Sequence, residues 1–430
     1  MLRIDRIACW LFIVYYATAI FSMQIVKPLD ELFPIALVCL SLLDCVCNRQ
    51  WRRYRPMFIS LGVFGFYTIY SLTVVHFNTT AAVLKDFIIE LKPFVVALCA
   101  YCIAPRFTPG DKRVLRGICR VMTVVLLLAG LSFYFYKNFL CTIFFHVAYI
   151  GAFALLTALL YVYCAADDEG RLKKSDIVFV VVTLFVGLLS TRSKYYVEFV
   201  MVLFLLFVYR RGMLRHLTLS NMVILVAVGV LGAAVAWKKF DYYFLSVNFS
   251  ELDLNALPSY ARLALYLGMG LILADYPLFG SGLASYATFP SSETYSALYG
   301  KYGLDKVWGI SPDMPDFICD AYYTSLAQYG AVGIVLFVYF WVWLYRNLRA
   351  MTRTPDPRWR YPFIVGASVL VFELVELTTG TAGVTSAGVA ALFLLGMISA
   401  SGNGLRQQQK KKKNETLASN KKVKTLPIRI

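Results

Sequence analysis

Three side chains have the type and setting to do chemistry: Arg192, Arg262 and Asp320. Arg192 sits in the polar run Ser190-Thr191-Arg192-Ser193-Lys194 between two short apolar segments. A guanidinium presents a planar fork of donors that matches two phosphate oxygens at once. Lys194 adds a second positive charge in the same turn. The plainer alternative is an interfacial anchor whose charge snorkels to lipid headgroups. Arg262 opens the apolar run Leu263 to Leu273. It would make a second phosphate contact, pair with Asp253 or Asp275, or stay solvated. Asp320 precedes Ala321-Tyr322-Tyr323-Thr324-Ser325-Leu326, where a helix N-cap belongs. A carboxylate held near a nucleophilic hydroxyl also serves as a general base.

Other charges fall inside apolar segments. Lys85, Asp86, Glu90 and Lys92 share one such segment, and Glu373 and Glu376 share another. A charge at the centre of a membrane helix costs about 2.5–3.5 kcal/mol on insertion scales. These groups must therefore face water, a substrate or each other. Asp86 and Glu90 lie one helical turn apart and share a face. With Glu373 and Glu376 they suggest a hydrated cavity open to one side, or internal pairing between helices. Lys85 is a further candidate phosphate contact. Tyr286, Tyr295 and Tyr299 are candidates to stack on a sugar face, although tyrosine is also the ordinary residue of membrane interfaces. Asp313 and Asp316 show no spacing diagnostic of a divalent metal. Cys99 and Cys102 have a redox or metal spacing but no second pair, and packing is the expected role.

The elements that must position these groups are apolar helices. The 430 residues are 59% hydrophobic, and the mean hydropathy is +0.65; an ordinary soluble domain is excluded. Apolar runs recur near residues 7–26, 33–47, 57–77, 82–104, 114–136, 139–163, 175–190, 195–209, 218–236, 327–345, 361–379 and 384–400. Backbone groups in lipid must be satisfied within the segment, so such runs read as spanning helices. The expected fold is an all-α polytopic membrane protein of about twelve spans. Residues 1–236 hold nine of them, 237–320 form one large polar loop, and 321–400 hold the last three. Pro258 and the run after it predict an interfacial helix near 258–275, too short to span. Residues 401–430 form a basic tail expected to be disordered.

The charge of +17 follows the membrane rather than a nucleic acid. Arg3, Arg6, Arg49, Arg52, Arg53, Arg55, Arg106, Arg113 and the basic residues around 171–174, 210–215 and 346–360 fall in segments of one parity. The short loops of the other parity hold only Lys27, Lys137, Arg192 and Lys194. The positive-inside rule then puts both termini in the cytoplasm and the large loop outside. Of ten cysteines only Cys319 falls in that loop, so no disulfide framework is expected there. None of the three histidines, His76, His146 and His216, is in the loop.

An ordered set of motifs carries a family resemblance. The set comprises Thr191-Arg192-Ser193, Arg262, Asp275-Tyr276-Pro277-Leu278-Phe279-Gly280-Ser281-Gly282 and Gln328-Tyr329-Gly330-Ala331-Val332-Gly333. Together with one large loop after the ninth span, this resembles the O-antigen polymerase and ligase superfamily of bacterial envelope glycosyltransferases. Ligases of that superfamily show a His-Asn pair where this chain reads Cys319-Asp320-Ala321-Tyr322, so the polymerase branch is the better match. The resemblance implies a bacterial inner-membrane enzyme with a periplasmic active site. Its donor would be a glycan on undecaprenyl pyrophosphate, handled without metal or other cofactor. Membrane lipids, a flippase and a chain-length regulator would be its partners. Arg192, Arg262 and Asp320 would be catalytic, with Lys194, Lys85 and the three tyrosines binding substrate. A ligase is the alternative within the superfamily, and a flippase or transporter the alternative outside it.

Overall fold

The computed structural model describes residues 3–22, 29–135, 147–209, 237, 261–378, 380 and 382–424. The described chain is helical, with no strand. Eight helices come first: α1 (Ile4–Ser22), α2 (Leu29–Cys47), α3 (Arg55–Tyr70), α4 (Thr80–Ile103), α5 (Pro109–Phe135), α6 (Ala148–Ala165), α7 (Lys174–Gly187) and α8 (Ser193–Leu203). A π-helical turn, Ser71–Val75, extends α3. The later elements are α9 (Ala261–Asp275), the short α10 (Phe289–Glu293), α11 (Ala297–Lys301) and α12 (Tyr322–Ser325), and then α13 (Gly330–Thr352), α14 (Arg360–Glu376) and α15 (Ser386–Lys424).

Four described stretches are long and apolar enough to cross a membrane: Arg55–Val75, Pro109–Phe133, Gly330–Thr352 and Ser386–Lys411. Tyr149–Ala165 is a shorter apolar helix. The expected ninth span at 218–236, residues 139–146 of the sixth and loop residues 238–260 lie outside the described residues.

Helix α15 is the central post. Of its apolar window 72% is buried, against 17% for Arg55–Val75, which therefore lies at the periphery. Small residues allow the close approach that helices need where no water drives them together. A Cβ on Gly396 would come within 2.2 Å of the Ala97 carbonyl oxygen of α4. One on Gly402 would come within 2.3 Å of the Asn347 carbonyl oxygen of α13. Helix α6 is buried on every side from Ala152 to Leu160.

The basic tail departs from expectation. Residues 401–424 continue α15 as one helix instead of leaving it disordered. Lysine and glutamine are good helix formers, and a chain already helical need not nucleate again. Gln409 donates to the Ala350 carbonyl at 3.1 Å, which ties this extension to α13.

Residues 261–320 build a core of their own. Ala261, Ala264, Leu265 and Ile272 of α9 pack with Tyr286, Leu298, Tyr299, Leu304, Val307, Ile310 and Ile318. The buried positions of α9 recur at helical spacing, and its other face leaves Tyr266, Leu267 and Leu271 about 40% exposed. That two-faced pattern suits a helix with one side on a small core and the other toward lipid.

Candidate functional site

Two of the sequence motifs meet through their backbones. Ser281 N–H donates to the Ala327 carbonyl at 3.2 Å and Gly282 N–H to that of Gln328 at 2.9 Å. In return Ala331 N–H donates to the Pro277 carbonyl at 2.8 Å and Val332 N–H to that of Leu278 at 3.1 Å. Glycine is required at the crossing. Gly280 has φ +71° and its Cβ would lie 2.3 Å from the Ala327 oxygen. Gly330 has φ +60° and its Cβ would lie 2.4 Å from the Gly280 nitrogen. No side chain fits either place, and both dihedrals are left-handed.

The same turn is seated on α3 and α4. Ser71 Oγ accepts from Leu283 N–H at 2.7 Å, and Tyr70 Oη donates to the Gly280 carbonyl at 3.0 Å. Asp86 Oδ2 accepts from Ala284 N–H at 2.6 Å. Glu90, one turn further along, is buried beside Tyr322 and Tyr329. Asp86 and Glu90 therefore do not line an open hydrated cavity; they are covered by the segment they anchor. Lys92, also buried, lies within coulombic range of Asp30 and Glu31.

Several expected substrate contacts have structural partners. Lys85 pairs with Glu293 and lies 5.0 Å over the ring of Phe289, which fastens α10 to α4. Tyr286 and Tyr299 are fully buried in the loop core. Tyr286 Oη donates to the Leu265 carbonyl at 2.7 Å, and Tyr299 Oη accepts from Ala287 N–H at 2.8 Å. Burial pushes both phenols above their ordinary range. Neither ring offers a face to a sugar, because aromatic area is what this small core has to bury. Tyr295 is half-buried, and its hydroxyl donates to the Ile310 carbonyl at 2.8 Å. Asp275 binds Lys301 at 2.9 Å and Tyr302 at 2.8 Å, and these partners hold its carboxyl below the usual carboxylate range.

Arg262 and Asp320 come together. They are 58 residues apart in sequence, yet Nη2 of one lies 2.6 Å from Oδ2 of the other. Of the partners expected for Arg262, Asp275 is taken by Lys301 and Asp253 lies outside the described residues. The N-cap of α12 is Ala321, with no side-chain cap, so Asp320 is not the capping residue expected. Both side chains are about a third exposed, 29% for Arg262 and 32% for Asp320, so the pair sits at a rim.

Across that rim stand the adjoining ends of α8 and α14. Arg192 is the half-buried N-cap of α8, preceded by Thr191 in the left-handed region at φ +52°. Lys194 in the first turn reaches Glu376 of α14 at 2.5 Å. Tyrosines connect this side to the loop core: Tyr323 Oη donates to the Leu374 carbonyl at 2.8 Å, and Tyr266 Oη to that of Thr378 at 3.4 Å. The Tyr266 contact sets α9, one turn after Arg262, against the end of α14 that carries Glu376.

Sequence reasoning passed over Glu198. It is fully buried on α8, within coulombic range of Glu373, Glu376 and Lys194. The available signal was a carboxylate one turn after Lys194 inside an apolar run. Cys99 and Cys102 are buried free thiols, with Cys99 against Met57. Among the described residues, no group of three or more His, Cys, Asp and Glu side chains is placed to hold a metal ion. Against known proteins, no family model matches this chain and no curated relative matches it.

Proposed function

We propose that this protein polymerises glycan repeat units, carried on undecaprenyl pyrophosphate, into a surface polysaccharide such as O-antigen, capsule or another exopolysaccharide. The reading includes about twelve spans, cytoplasmic termini, and a site at the periplasmic face of a bacterial inner membrane. A flippase would supply the donor and a chain-length regulator would govern the product. The observation that carries the proposal is the Arg262–Asp320 pair at 2.6 Å, with the more buried Lys194–Glu376 pair at the neighbouring end of α14. It supports the reading because a guanidinium able to hold a phosphate and a carboxylate able to act as a base lie at one spot.

In the proposed reaction the anomeric carbon–oxygen bond to pyrophosphate breaks. A bond from that carbon to an acceptor sugar hydroxyl forms, through an oxocarbenium-like transition state. The hydroxyl proton passes to Asp320, and the pyrophosphate departs with the electron pair of the broken bond. Fixed cations stabilise charge that develops on a leaving group without reorganising at the moment of reaction. Arg262 and Arg192 are assigned that role and Lys194 a supporting one. Arg262 also aims the Asp320 carboxylate.

The test is chain length in the native host. Deleting the gene and returning Arg192→Ala or Arg262→Ala should leave single repeat units on lipid A–core with no ladder, while the protein still inserts at normal levels. Long chains held on undecaprenyl with bare core would instead mean a ligase. Normal-length polysaccharide in both variants would sink the proposed site.

A second reading, ion-coupled transport of a glycan lipid, draws on Glu198, Glu373 and Glu376, three buried carboxylates in apolar helices. Flux in reconstituted vesicles without any covalent transfer would favour it.

A further inference from the structure

A polar cavity of about 350 Å³ opens at the opposite end of the bundle from the loop core, where α4, α13 and α15 converge. Arg346, Arg406 and Lys410 line it, with Tyr101, Trp343 and Asn403. No carboxylate is among its lining residues. Among the described residues no ion pair engages these three cations. Arg406 has a neutral partner, the Asn347 side-chain oxygen, at 3.4 Å. Three like charges thus border one polar space, and among the described residues none of them is in an ion pair.

A second cavity, of about 270 Å³, adjoins the first. The two share Tyr339 and Trp343. This one runs between α3, α4 and α13, and apolar side chains such as Ile59, Val63, Leu98 and Leu336 form its walls. Arg55 marks its near end and Tyr67 lines it further along the same helix. At helical rise these two residues are about 18 Å apart, close to half of the ~30 Å hydrocarbon thickness of a bilayer. The groove is open at its side: Ile59 is 64% exposed and Tyr339 62%.

We propose that the two cavities form one binding site for an anionic phospholipid of the adjacent leaflet. The headgroup phosphate sits among Arg346, Arg406 and Lys410, and an acyl chain lies along the groove between α3 and α13. Charge selects the lipid: basic pockets between spanning helices bind anionic headgroups. Depth selects its orientation, because tyrosine and tryptophan mark the headgroup level where the two cavities join. A lipid so placed braces the peripheral helix α3 against the α13–α15 pair. The site is separate from the proposed transferase rim and does not depend on it.

The experiment is native mass spectrometry of the purified full chain in neutral detergent, titrated with phosphatidylglycerol or phosphatidylcholine of matched chains. The expected result is a one-lipid adduct with phosphatidylglycerol at least about tenfold tighter than with phosphatidylcholine. A variant carrying Arg346→Ala, Arg406→Ala and Lys410→Ala should lose that preference. Leu336→Trp, which fills the groove and removes no charge, should weaken the same adduct. Millimolar inorganic phosphate should leave it in place; displacement by phosphate alone would mean a free-phosphate pocket and overturn the lipid assignment. Equal binding of the two lipids to the wild type would overturn it as well. If the triple variant is not monodisperse, the lipid preference of the wild type and the Leu336→Trp result decide.

Discussion

The Arg262–Asp320 bridge is too exposed to matter much for stability. With about a third of each side chain open to solvent, an ion pair contributes roughly 0–1 kcal/mol. The pair therefore separates a chemical role from a structural one. Arg262→Ala should change the melting temperature in detergent little and, under the proposed function, cut chain elongation by about 10²–10³-fold, the usual loss when one preorganised transition-state donor is removed. A large thermal shift with residual elongation would make the bridge a strut. Asp275 is the opposite case, a carboxylate lowered by Lys301 and Tyr302. Its folded form gains from being ionised, so its contribution is complete above the ordinary carboxylate range of about 4. That contribution fades as the pH falls through the lowered folded value. Amide protection factors around residues 275–302 should fall below about pH 4, and Asp275→Asn should remove that fall. Unchanged protection down to pH 3 would show that the contact is idle.

Among the elements, the interlock of the Pro277–Leu283 turn with the entry to α13 positions the site. It fixes where α9 ends and where α12 begins, and hence where Arg262 and Asp320 meet. Its weakest points are Gly280 and Gly330, each left-handed and each within 2.4 Å of opposing backbone at the missing Cβ. Left-handed strain costs about 1–3 kcal/mol per residue, and the steric clash adds to it. Gly280→Ala or Gly330→Ala should loosen the loop core and expose it to limited proteolysis and, under the proposed function, abolish elongation. Resistance equal to the wild type would mean that the turn repacks freely. Gly300→Ala is a suitable control, since nothing lies within 4 Å of its added carbon.

At the scale of the molecule, two groups of charges mark opposite ends. Arg346, Arg406 and Lys410 line the cavity at one end. Lys194, Glu376, Arg262 and Asp320 gather at the other, beside the loop core. Under the proposed orientation, a cysteine at Asp313 should react with a membrane-impermeant maleimide in intact cells of a cysteine-free background. One at Arg353 should react only after permeabilisation. The reverse pattern would turn the molecule over and put the candidate site in the cytoplasm.

The apolar runs, the helical class and a helix over the run after Arg262 were legible in the sequence, because each depends on composition and on neighbours in the chain. Backbone that cannot bond to lipid must bond to itself, and that need is local. The partners of the charged residues were not legible. Lys85 with Glu293, Lys194 with Glu376 and Arg262 with Asp320 are each separated by dozens to hundreds of residues. Tyr286 and Tyr299 looked like sugar platforms because a polar loop gave no sign that it would bury a core. The tail around Gln407 to Lys413 looked disordered because composition cannot register a helix handed on from a packed span. Only the tertiary packing decided these points, since burial and pairing depend on which distant segments share a face.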